Sequence, residues 1–310
     1  MHRLLAILAL AAAAALPVHA QRVPLPIDGA NFTAEQLLRG VSATQAECDK
    51  VSGLWAALPS GETECLRYWS AGLAPGANPK LLVYLTGDQI TGTQAEAGYA
   101  TRGPAAVQAI VDGYQKRLGV PFVLLARPGT FGSSGDHRQR RREPEARLVS
   151  AALDALKARH GVDELSLAGL SGGGHTVAAL LGWRKDITCA VAASAVSSPR
   201  LRWERKGWTA DATGFTDSYE PVAQLKAGAF HPRLRVFVLG DEKDSNVPWP
   251  TQLPLAQRLR ELGVATEVVT GEGTGGERHI LGASAQALGA QCLQGRDTPA
   301  ILDAARALRG

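Results

Sequence analysis

Residues 165–175 read LSLAGLSGGGH, and this stretch decides the fold. A short, mainly apolar strand runs into Gly169-Leu170-Ser171-Gly172-Gly173, which fits G-x-S-x-G, and residues 176–183 continue as a helix. This is the pattern of a nucleophile elbow. A serine on a sharp strand-to-helix turn stands clear of the sheet, and small residues two before and two after it let the backbone bend without Cβ clashes. The helix N-terminus behind the serine offers unpaired N–H groups and partial positive charge where a negative oxygen would develop.

Outward from the elbow, strand and helix alternate. Before it come a buried strand at 80–85 (KLLVYL), a helix at 104–118 with Val107, Ile110, Val111, Tyr114 and Leu118 at helical spacing, and a second strand at 122–126. An irregular loop rich in glycine and serine follows, RPGTFGSSG at 127–135, and then a helix at 145–159. After the elbow the spacing predicts strands at 187–195, 235–239 and 266–270, with helices at 253–262 and 283–293. With right-handed crossovers this alternation gives an α/β fold, a mainly parallel sheet with helices on both faces. The periodicity fails at 197–232, a stretch that contains Trp203, Trp208, Phe215, Tyr219 and Phe230. An insertion there lies above the carboxyl ends of the strands, so it reads either as a small cap walling a substrate pocket or as an ordered connection with inward aromatics.

Residues 1–20 read as an export signal: a weakly basic start, an apolar run at 4–16, and Val18-His19-Ala20 as a cleavage pattern. That run is too short to span a bilayer, and no other segment is long enough, so the expected mature protein is exported, in a bacterial periplasm or outside the cell, with no membrane span. Four cysteines fit an oxidising compartment. They allow three connectivities, of which Cys48–Cys65 and Cys189–Cys292 are favoured. Residues 21–79 form an N-terminal extension packed on a main domain at 80–310; a helix capped by Thr33 and a strand within 65–69 are expected there.

The chain of 310 residues is 45% hydrophobic and 20% charged, with a net charge of +4, and suits one large domain. Much of the basic excess is the run RQRRR at 138–142. With no aromatic interleaving or nucleic-acid motif nearby, it reads as a solvated loop and helix start, and no nucleic-acid partner is expected. No H-E-x-x-H or Cys/His cluster suggests a metal, and no cofactor is expected. Gly271, Gly273 and Gly276 form a G-x-G-x-x-G, but only one more helix follows, too little for a dinucleotide-binding unit.

A serine hydroxyl needs a base to take its proton and a third group to orient that base. In this strand order the acid and then the histidine should follow the serine. His2 and His19 lie in the leader, His137 and His160 precede the serine, His175 is carried away along the elbow helix, and His231 precedes the acid loop. His279 remains, in the glycine-rich loop after the last strand. The acid belongs just after the strand at 235–239, where Asp241, Glu242 and Asp244 qualify by type; spacing alone does not choose between Asp241 and Asp244.

With these elements the chain resembles the α/β-hydrolases, within them the prolyl oligopeptidase-like and dienelactone hydrolase-like serine hydrolases, over roughly 80–293. The resemblance rests on the GLSGG elbow, the ARPGTFGSSG loop, and GDEKDSNVPW followed by a helix and a glycine-rich loop with histidine. It implies an acid in a D-x-x-V-P setting, which is Asp244, with Asp241 as fallback. It also implies an oxyanion hole from the backbone N–H of Gly172 with that of Asp88 or Gln89. Here Thr86-Gly87-Asp88 replaces the His-Gly common in that family, and the Asp88 carboxylate must turn away from the developing charge.

The expected function is an exported serine hydrolase acting through Ser171, Asp244 and His279 and an acyl-enzyme, with a small ester as the favoured substrate. A peptidase of the prolyl oligopeptidase-like type and a catalytically silent binding protein of the same architecture are the alternatives. Oligomeric state is not readable from the sequence.

Overall fold

The computed structural model describes residues 22–306; the leader expected at 1–20 lies outside the described residues. Its centre is a seven-stranded sheet: β1 Tyr68–Ala71, β2 Lys80–Leu85, β3 Phe122–Leu125, β4 Glu164–Leu170, β5 Ile187–Ala193, β6 Arg235–Gly240 and β7 Ala265–Thr270. The spatial order is β7-β6-β5-β4-β2-β3-β1. Every pair is parallel except β1 with β3. The elbow strand β4 is therefore central, with Leu167 beside Val83 on one side and Ala190 on the other.

Six helices cover the sheet: α1 Pro104–Leu118, α2 Glu143–His160, α3 Gly172–Leu181, α4 Leu253–Glu261, α5 Gly282–Leu293 and α6 Thr298–Ala305. Because side chains alternate along a strand, each strand feeds two cores. Leu81, Val83 and Leu85 of β2 join Leu153 of α2, Val177 of α3 and Leu255 of α4. Leu82 and Tyr84 of the same strand face the other way, with Val111 of α1, Leu288 of α5 and Ile301 of α6. Each buried aliphatic side chain contributes roughly 1.5–3 kcal/mol on leaving water, so the two layers together hold the strand ends in register. Helix α6 extends the fold past the last helix that periodicity predicts.

The stretch before β2 differs from expectation in one place. The strand expected at 65–69 is two strands broken at Arg67: Thr63–Leu66 pairs with Leu54–Ala57, and β1 joins the main sheet. The reason is hydrogen bonding by the 127–135 loop. Ser134 Oγ accepts from Cys65 N at 2.7 Å and Ser133 Oγ from Arg67 N at 2.9 Å, which stitches that loop along the chain at the break. Helices Ala34–Arg39 and Gln45–Lys50 each begin with a capping box, at Thr33 and Thr44. Both favoured disulfides are present, Cys48–Cys65 within this N-terminal stretch and Cys189–Cys292 tying β5 to α5.

Residues 197–232 carry two short helices, Pro199–Arg205 and Pro221–Gln224. Part of the stretch packs inward, with Tyr219 against Trp183 at 5.3 Å between ring centroids and Phe230 against the core. Part faces solvent: Trp208 is 40% exposed.

Candidate active site

The elbow is built from hydrogen bonds and close packing. Ser171 sits between β4 and α3 at φ +55°, a left-handed conformation that costs a non-glycine residue energy and persists only when its surroundings impose it. Those surroundings are specific. Ser171 N donates to Ala193 O at 2.8 Å, and the Ser171 carbonyl accepts from His175 N at 3.0 Å and from Val196 N at 3.3 Å. A Cβ on Gly169 would run into the Gly173 carbonyl, and one on Gly172 into the Asp88 carboxylate. The glycines are thus required by the close approach of the chain to itself.

Ser171 and His279 line one cleft of about 1260 Å³. Around them stand Gly87, Asp88 and Gln89 from the loop after β2, Arg202, Lys206 and Trp208 from the 197–232 stretch, and Ile280. Asp244 is brought to His279: its Oδ2 accepts from Nδ1 at 2.8 Å. Its other oxygen, Oδ1, accepts from the backbone N–H of Asn246 and Val247 at 2.9 Å each, so three donors fix the carboxylate and the ring is left with Nε2 unoccupied. Asp241 is turned elsewhere. It accepts from Lys243 N, Gly273 N and the Arg278 guanidinium; burial pushes its carboxyl up, but these donors outweigh burial and lower it. Among the described residues no hydrogen bond joins Ser171 to His279.

Of the oxyanion donors named from the resemblance, the backbone N–H groups of Gly172 and Asp88 have no acceptor among the described residues. The Gln89 N–H is occupied, donating to His137 Nε2 at 3.1 Å. Asp88 itself is surrounded by cations. Its carboxylate pairs with Arg127 at 3.0 Å, with Arg140 at 3.0 Å, and with Arg141. Burial alone pushes this carboxyl up, but Arg141, Arg140 and Arg127 together outweigh burial and hold it well below the usual carboxylate range.

Here the reading of RQRRR as a solvated segment is corrected. Arg138 is exposed, but Arg140 and Arg141 are buried beneath the cleft. Arg141 also pairs with Asp211 at 2.6 Å, and Arg127 with Glu145 at 2.7 Å, so a buried network of three arginines and three carboxylates underlies the loop after β2. Their countercharges make burial tolerable, and those lie far off in sequence. The sequence reading also missed His137, fully buried, whose ring pins Gln89 and whose pKa burial and the nearby Arg127 push well down. The only local signal was a histidine beside the arginine run. His175 is likewise buried, with Nε2 2.9 Å from Tyr219 O, and takes no part in the Ser171 cleft.

No group of His, Cys, Asp and Glu able to hold a metal occurs among the described residues, and no helix there is long and apolar enough to cross a membrane.

No family model matches the chain, and no curated protein does. Among solved structures it is similar to prolyl oligopeptidase B from Galerina marginata, with TM-score 0.55 and 13% identity over 79% of this chain and 37% of that one. It is similar to the Pyrococcus horikoshii acylaminoacyl peptidase, with TM-score 0.52 and 11% identity over 80% and 43%. A third likeness is to Est1E from Butyrivibrio proteoclasticus, solved with ferulic acid bound, with TM-score 0.50 and 14% identity over 78% and 96%. The chain thus spans less than half the length of the two peptidases. At these identities the likeness concerns the fold, and the fold is that of the α/β-hydrolases.

Proposed function

We propose that this α/β-hydrolase-fold chain is an exported serine hydrolase that cleaves esters through an acyl-enzyme. The observation that carries the reading is the convergence on one cleft of a serine in a left-handed elbow and a histidine oriented by a buried carboxylate. In the proposed mechanism Ser171 Oγ attacks the substrate carbonyl while His279 Nε2 takes its proton. Asp244 holds Nδ1–H, which fixes the tautomer and stabilises the imidazolium that forms. The Gly172 and Asp88 N–H groups receive the developing oxyanion, a contribution of about 2.7–4 kcal/mol per donor in related chemistry. His279 then protonates the leaving alcohol, and water, deprotonated in turn by His279, releases the acid.

An ester of an apolar or aromatic acid is put before a peptide. Trp208 and Ile280, 40% and 49% exposed, present apolar surface to the cleft, with the 197–232 stretch as a cap-like wall. Relative rates on aryl esters and aminoacyl anilides test that choice. Export is supported by the leader-like residues 1–20 and by the two disulfides.

The first test is the intact mass of the protein after exposure to a small organophosphonate. One adduct on the wild type and none on Ser171→Ala is expected, with turnover of the variant lower by about 10⁶-fold. An unlabelled wild type would overturn the reading and favour a silent binding protein.

A further inference from the structure

The cleft carries positive charge that the proposed triad and oxyanion hole do not use. Arg202 and Lys206 lie one helical turn apart and both sit on the Trp208 indole, at 5.2 and 4.8 Å from its centroid. Like charges at this spacing repel. Arg202 spends Nε and Nη2 on Asn246, at 3.1 and 2.8 Å, while Nη1 makes no hydrogen bond and lies 3.8 Å from Asp211 Oδ1. Lys206 Nζ donates only to the carbonyls of Ser245 and Asn246. Burial lowers the pKa of both groups, and Arg202 lowers that of Lys206 further. On the far rim, half-buried Arg102 has no carboxylate within ion-pair distance among the described residues.

The acidic groups of the cleft have other partners, and Asp211 is shared between Arg141 and Arg202. Asp88 is held by three arginines, Asp211 by Arg141, Glu277 by the Asn246 amide at 2.8 Å, and Glu96 by Thr91. Two positive charges thus share one distant carboxylate, Asp211, that Arg141 already holds. Arg202 is nine-tenths buried, so it is a built feature of the wall rather than a surface charge.

We propose that the cleft selects a substrate with a free carboxylate, seated between Arg202 Nη1 and Lys206 Nζ, whose apolar body lies against Trp208. This names a substrate class for the hydrolase reading and rests on it. The carboxylate comes either from the acid half of a dicarboxylic half-ester or from the C-terminus of a short peptide; both present the same group to the same donors.

The test compares the 4-nitrophenyl half-ester of terephthalic acid, one carboxylate free, with 4-nitrophenyl 4-methylbenzoate. A preference of about tenfold or more for the anionic ester is expected, expressed in KM, as for a charge-assisted hydrogen bond lost from the neutral one. Lys206→Gln should cut that ratio about tenfold, and Lys206→Arg should restore most of it. An N-acyl dipeptide against its C-terminal amide asks whether a peptide is the source. A ratio at or below one in both pairs, or one unmoved in Lys206→Gln, overturns the proposal. If neither pair is turned over, the hydrolase reading has failed, and calorimetry with terephthalate decides the anion site separately. Binding weakened in Lys206→Gln supports it, and absence of binding rejects it.

Discussion

Asp88 and Asp244 both follow strands of the main sheet, Asp88 lining the cleft and Asp244 bonded to His279 of its wall, yet their surroundings make them different groups. Asp244 faces two backbone N–H groups and the His279 imidazole. Asp88 faces three guanidinium groups that are always charged. A carboxylate beside a titratable partner can answer the movement of a proton. One locked among permanent cations serves only to neutralise and to anchor. On the proposed mechanism the Asp88 side chain therefore anchors a loop whose backbone N–H receives the oxyanion, and Asp244 orients the base, although both are aspartates with little exposure.

The sharpest way to break this contrast is the pair of amide substitutions. Asp244→Asn keeps the shape but offers His279 the wrong hydrogen-bonding partner; about a 10⁴-fold loss of kcat is expected with little change in the unfolding midpoint. Asp88→Asn should do the reverse. It strands one positive charge in the buried network, and breaking a buried ion pair costs about 3–5 kcal/mol, while the backbone N–H at that position is retained. Urea unfolding and steady-state rates on both variants read the two axes together. If Asp88→Asn lost 10⁴-fold in kcat at unchanged stability, the distinction would collapse.

The same contrast explains what sequence alone made legible. Apolar runs such as KLLVYL and the GLSGG turn are local, so their periodicity and small residues announced the sheet, its two helical layers and the elbow. The disulfide pairing was one favoured choice among three, and both of its bridges are present. The arginine network was not legible because its logic is long-range. Arg141 meets Asp88 across 53 positions and Asp211 across 70, and without those partners a run of basic residues is indistinguishable from a solvated face. Asp241 and Asp244 were inseparable by count for a related reason: the turn that aims one at Gly273 and Arg278 and the other at His279 is set by tertiary hydrogen bonds. The break at Arg67 depends likewise on serines more than sixty residues away.

The comparison extends, with a smaller expected effect, to the imidazoles. His279 has a carboxylate, whereas His175 is buried with no acid bonded to it. Burial, with Arg141 and Arg127 nearby, pushes its pKa down to about 4 despite the Tyr219 carbonyl. In the unfolded chain a histidine titrates near 6.5. Above that pH neither state is protonated and the folded protein has its full stability. As pH falls from about 6.5 towards 4 only the unfolded state takes the proton, so stability is lost across that window, by about 3 kcal/mol for this one group, and no further below it. His175→Gln keeps a donor for the Tyr219 carbonyl and removes the titration. Urea unfolding at steps across this window should therefore show a shallower decline in the variant than in the wild type, with His137 accounting for part of the decline that remains. Equal slopes would mean that His175 accepts a proton in the folded state as readily as in the unfolded chain, and that burial does not set its protonation.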